Sequence, residues 1–102
     1  MKAVDYFNKY ESRMIKNDDD GLKAIGELLY EMVMEAKTLI DARNVKTTSG
    51  SVAVLKELNN KWNAICNLFE KKYSVSPIIR DGYQKYWLKE MPELMLYIKE
   101  KK

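Results

Sequence analysis

The stretch LKAIGELLYEMVMEAKTLI, residues 22–40, decides the fold. Leu22, Ile25, Leu28/Leu29, Met32/Val33, Ala36 and Leu39/Ile40 recur every three or four positions, which gathers them on one face of an α-helix. The stripe predicts a helix from about Gly21 to Arg43, roughly 33 Å long at about 1.5 Å per residue. Off the stripe, Glu27, Glu31 and Glu35 stand four apart, with Lys23 and Lys37 in reach of the row. This row reads as a solvated acidic face, and its functional counterpart would be an acidic docking surface.

Downstream, the segment NVKTTSGS (residues 44–51) breaks the pattern, and Ser49 or Ser51 can cap the next helix. Leu55, Leu58, Trp62, Ile65 and Phe69 then alternate spacings of three and four, the seam spacing of packed helices. Two long helices, about 21–43 and 51–73, joined by about seven residues, should fold back into an antiparallel hairpin. Upstream, Val4, Phe7, Tyr10 or Glu11, and Met14 predict a first helix over 3–16. Ser76-Pro77 reads as a helix start, with the hydroxyl capping and proline in the first helical position. Met91-Pro92 reads as a break, after which ELMLYIKEKK makes a last short helix. The expected fold is all-α: a four- to five-helix bundle built on the long hairpin, in a single domain over 1–102.

Composition narrows the function. A hydrophobic fraction of 46% with 32% charged residues is that of a folded soluble chain. Apolar runs reach only three to five residues, too short to span a bilayer, so no membrane role is expected. Asp5 and Glu11 interrupt any apolar leader, and Cys66 is the sole cysteine, which together suggest a cytoplasmic protein. Histidine is absent, which removes the commonest general base and the commonest transition-metal ligand. Residues 1–45 carry seven basic against nine acidic side chains, and residues 46–102 eleven against six, so the net charge of +3 hides a basic second half.

The stretch KNDDDGLKAIGE, residues 16–27, imitates a calcium loop in part. Asp18, Asp20, Gly21 and Glu27 stand at matching positions, but Lys16 puts a cation where the first carboxylate belongs. If the helix begins near Gly21, Glu27 lies about 9 Å along its axis and cannot close around Asp18. No metal site is assigned. One of Asp18, Asp19 or Asp20 is instead expected to cap the helix, the others complementing its positive end.

Two clusters make a candidate interaction surface. Asn59, Asn60, Asn63 and Asn67 share one side of the third helix, although asparagine is a poor helix former. They are either a solvent face or a hydrogen-bonding surface that donates and accepts without charge desolvation. In RDGYQKYWLKE, residues 80–90, the cations Arg80, Lys85 and Lys89 interleave with Tyr83, Tyr86 and Trp87. Rings at helical spacing are core residues with polar tips or stacking platforms for bases. Gly26 and Gly82 mark either close helix packing or kinks.

No catalytic residue is assigned: Cys66 lacks an activating histidine, and no phosphate loop, dinucleotide turn or serine elbow implies a cofactor. The reading is a small non-enzymatic interaction module of the accessory type found in bacteria or phages, acting as a homo-oligomer or on another protein. Its motive is apolar surplus off the stripes at Met34, Val54 and Leu68. The alternative is nucleic-acid binding through Lys56, Lys61, Lys71, Lys72, Arg80, Lys85 and Lys89. A third option is a small-ligand pocket among Tyr30, Trp62, Tyr83 and Trp87.

Overall fold

The computed structural model describes residues 2–42 and 48–100, with the backbone alone for Thr48, Ser49 and Ser51. The described residues form four helices and no strand: α1 (Ala3–Met14), α2 (Asp18–Ala42), α3 (Thr48–Lys72) and α4 (Pro77–Glu100). The cap expected from Ser49 or Ser51 falls on side chains outside the described set. None of the described helices is long and apolar enough to cross a membrane.

Each helix start has a local cause. At α1, the Lys2 backbone N–H donates to Asp5 Oδ2 at 3.0 Å. At α2 the cap is Asn17, not an aspartate: its Oδ1 accepts the Asp20 N–H at 2.8 Å, and its Nδ2 donates to Asp20 Oδ2 at 3.0 Å. The helix begins at Asp18, ahead of the apolar stripe, so all three aspartates already lie in its first turn, beside its positive end. Helical from Asp18 onward, the chain puts Glu27 about 14 Å along the axis from Asp18, too far for both to enclose one ion. At α4, Ser76 Oγ accepts the Ile79 N–H at 3.3 Å and Pro77 opens the helix, as the sequence predicts. The same hydroxyl donates to Asp18 Oδ1 at 2.9 Å, tying the starts of α2 and α4 together.

The break expected at Met91-Pro92 does not occur; α4 runs through Pro92 to Glu100. Proline removes one N–H and leaves the carbonyl four residues back without its helical partner. Here Leu88 and Pro92 both stand on the exposed side of α4, where water can take that bond.

Helix α2 packs against all three others. It supplies Ile25, Leu28, Leu29, Met32, Val33 and Ile40 to the core, each at most 2% exposed. From α1 come Tyr6, Phe7, Tyr10 and Met14; from α3, Val54, Leu58, Trp62, Ile65 and Phe69; from α4, Ile79, Tyr83, Leu94 and Ile98. Phe7 and Phe69, with ring centroids 4.7 Å apart, join α1 to α3. Of the three apolar residues expected in surplus, Val54 is buried, Leu68 is half-buried and Met34 is exposed.

Helices α2 and α4 pack closely, and glycine permits it. A Cβ on Gly26 would lie 3.0 Å from the Tyr86 ring, and one on Gly82 would lie 2.7 Å from Leu22 Cδ2. Both glycines therefore mark close packing, and the helices continue unbroken through them. By contrast α3 and α4 are bridged by large side chains, with Trp62 and Trp87 near-parallel at 6.4 Å and the Tyr83 ring edge-on to Trp62 at 6.1 Å.

The acidic row of α2 is paired rather than free, although Glu27 remains exposed. Arg13 pairs with Glu27; Lys9 and Tyr10 reach Glu31 at 2.7 and 2.5 Å; Tyr6 hydrogen-bonds Glu35, and Lys61 of α3 reaches Glu35 at 3.2 Å. Arg13, Lys9/Tyr10 and Tyr6 are spaced by one helical turn on α1, as the glutamates are on α2, so the two rows zip together. At the other edge of α1, Glu11 accepts from Lys72 at 2.6 Å and Tyr73 at 2.8 Å.

Candidate functional site

The candidate surface divides when folded. Asn59 and Asn63 of α3 face Arg80, Tyr83 and Trp87 of α4 across a cleft of ≈ 270 Å³, completed by Trp62, Cys66 and Gln84. Tyr86 and Lys89 instead lie in a separate, broad groove with Gly26, Tyr30, Met34 and Glu90. Lys85, Asn60 and Asn67 are exposed and line neither. Tyr30, expected beside the tryptophans, is 58% exposed and on the α2 side, so the pocket forms from Trp62, Tyr83 and Trp87 without it.

Both walls follow one spacing. Asn59, Trp62, Asn63 and Cys66 stand at i, i+3, i+4 and i+7 on α3; Arg80, Tyr83, Gln84 and Trp87 repeat it on α4. The turn at residues 73–76 brings the two rows together. Trp62 and Tyr83 are buried, Trp87 is half-buried, and the three amides and Arg80 are exposed at the rim. An apolar aromatic interior beneath polar edge groups results.

At one end, Arg80 Nε pairs with Glu70 Oε1 of α3 at 3.2 Å. Close to this pair lie the two interior polar groups, the Cys66 thiol and the Tyr83 phenol. Burial is the main cause that pushes the Cys66 thiol up to about 12, with the Glu70 charge adding to it. Burial likewise raises the Tyr83 phenol, with Cys66 and Glu70 adding and Arg80 opposing. Both groups stay protonated near neutral pH, so the cleft offers hydrogen bonds and ring faces rather than a nucleophile. Among the described residues no group of three or more cysteine and carboxylate side chains is placed to hold a metal ion.

Sequence reasoning passed over Gln84 and treated Cys66 only as an inert thiol. The signal that finds them is the shared spacing: each sits in register with residues already singled out on its own helix. A further small cavity of ≈ 260 Å³ lies at the bundle end among Met14, Ile15, Phe69, Val75 and Ile79, with Asn17, Asp18, Ser74 and Ser76 at its polar side. Its polar groups Asn17, Asp18 and Ser76 are engaged in the helix caps described above. No family model, curated protein or solved structure matches this chain.

Proposed function

We propose that the chain is a non-enzymatic helical interaction module, with the antiparallel α2–α3 hairpin as its framework and self-association or binding to another protein as its role. One observation carries the reading. Leu88, at the middle of α4, and Met95 and Leu96, towards its end, are 62%, 53% and 56% exposed. Leu88, Pro92 and Met95 follow at i, i+4 and i+7 and make one line, with Leu96 beside it. An apolar line of this length on an outer helix face is the kind of patch that interfaces cover.

Sedimentation velocity across a concentration series tests the self-association version. A mass that rises with concentration, and that Leu88→Glu returns to the monomer while circular dichroism is unchanged, is the expected result. A strict monomer at every concentration defeats that version and leaves binding to another protein, for which the same Leu88→Glu variant must lose a partner captured by the wild-type chain.

The nucleic-acid reading has less support. Of its seven cations, Lys61, Lys72 and Arg80 are engaged by Glu35, Glu11 and Glu70. Lys56 and Lys71 are exposed on α3, and Lys85 and Lys89 on α4. A salt-dependent titration with DNA and RNA decides it, and no binding at low salt ends it.

A further inference from the structure

The α3–α4 cleft contains a polar atom that its own fold does not satisfy. Tyr83 is 9% exposed, and its hydroxyl is buried without a hydrogen-bond partner among the described residues. Such groups are uncommon because a buried donor without a partner costs the full desolvation of that group. Tyr83 lines the cleft together with Cys66 and Arg80.

The rest of the cleft says what would satisfy it. Trp87 is half-buried and lies near-parallel to the buried Trp62, so it is the indole that the cleft exposes, and an aromatic face favours a flat ring laid against it. Asn59, Asn63 and Gln84 provide amides that donate and accept at the edge of such a ring. Arg80, the cation of the cleft, is paired with Glu70, so there is no net charge to select an ion. The volume of ≈ 270 Å³ lies at the small end of ligand sites and suits one or two rings rather than a chain.

We propose that this cleft binds a free planar heteroaromatic molecule of one or two rings, stacked on Trp87, with Tyr83 and the rim amides hydrogen-bonding its polar edge. The hydroxyl is sealed in the present conformation, so a ligand reaches it only when a side chain lining the cleft moves, and Arg80 is one that can. That side chain is 59% exposed and tied to Glu70 by an exposed pair, which a side-chain rotation releases at little cost. The site is separate from the apolar line through Leu88 and Met95 and stands whether or not that line is an interface.

The chain reports on this cleft by itself, because Trp62 and Trp87 are its two tryptophans and both line it. Intrinsic fluorescence of the full chain, excited at the indole edge, is followed during titration with adenine, cytosine and nicotinamide. Toluene, a ring without a polar edge, is the control. A saturable change with at least one of the three below about 5 mM is expected, with toluene about tenfold weaker. Tyr83→Phe keeps the ring and removes the unsatisfied hydroxyl; unchanged circular dichroism confirms its fold, and its affinity for the bound molecule falls about fivefold. Three results overturn the proposal: no saturation with any of the three, toluene binding as tightly, or a Tyr83→Phe affinity within about twofold of wild type. Oligodeoxycytidine binding more than about tenfold tighter than cytosine also overturns it, since the site would then belong to a strand.

Discussion

The Tyr10 hydroxyl donates to Glu31 Oε2 across 2.5 Å, while Lys9 takes the other oxygen of the same carboxylate at 2.7 Å. Contacts of this kind recur along α1 and make the protein sensitive to acid. Lys9 and then Tyr10 hold Glu31 below the usual carboxylate range; Arg13 does so for Glu27, and Lys72 with Tyr73 for Glu11. Burial would raise Glu35, but hydrogen bonds including those from Tyr6 and Lys61 outweigh it and bring the carboxyl to about 2. A carboxyl lowered in the folded state binds its proton more readily when unfolded, so its stabilisation is complete above the ordinary value of 4.5 and is lost as pH falls towards about 2. The urea midpoint should therefore drop between neutral pH and pH of about 3, and Glu35→Gln should shrink that drop. An equal drop in the variant would show that the Glu35 contacts do not carry the acid response.

Pro92 forfeits a helical hydrogen bond at an exposed position, with no core contact that its ring supplies. Pro92→Ala should restore the N–H to the Leu88 carbonyl and stabilise the protein by about 1–3 kcal/mol. Urea denaturation followed at the helix signal measures this; a loss of stability would mean that the proline sets a bend on which α4 packing depends.

Gly21 stands where α1 ends and both α2 and α4 begin. A Cβ there would lie 2.7 Å from Ile79 Cδ1 and 3.0 Å from the Met14 carbonyl oxygen, and the latter is backbone. Gly21→Ala gains about 1 kcal/mol of helix propensity but should lose more to this overlap, for a net cost of about 1–2 kcal/mol. Gly82→Ala meets the flexible end of Leu22 and should cost less. Equal stabilities for the two variants would contradict this account of the packing.

Cys66 should react slowly. With its thiol pushed up to about 12 from an ordinary 9.0, the thiolate fraction at neutral pH falls by about 10³-fold. Alkylation by iodoacetamide should be correspondingly slow in the native protein and recover in urea. Native reactivity equal to that of free cysteine would place the sulfur outside the cleft.

Local rules read well from the sequence, and long-range ones did not. The α2 stripe and the Ser76-Pro77 start depend on neighbours within one or two turns, and both appear as expected. The row Glu27, Glu31 and Glu35 misled because periodicity shows that charges share a face and not what that face meets. Its partners Arg13, Lys9 and Tyr6 lie 14 to 29 positions away. Met91-Pro92 misled because the proline penalty depends on which side of the helix the lost bond faces. The asparagine and aromatic rows were each visible, but their meeting in one cleft depends on how the turn at 73–76 orients α4.

The zipped edge of α1 has a consequence for how the molecule comes apart. This 12-residue helix buries Tyr6, Phe7, Tyr10 and Met14 as the other helices bury their own apolar residues, but it adds a row of carboxylate contacts along its edges. Proton activity thus acts on one helix more than on the other three. Acid below the ordinary carboxylate range should therefore loosen α1 as a local cooperative unit and bare Phe69, on which Phe7 packs, before the remaining helices separate.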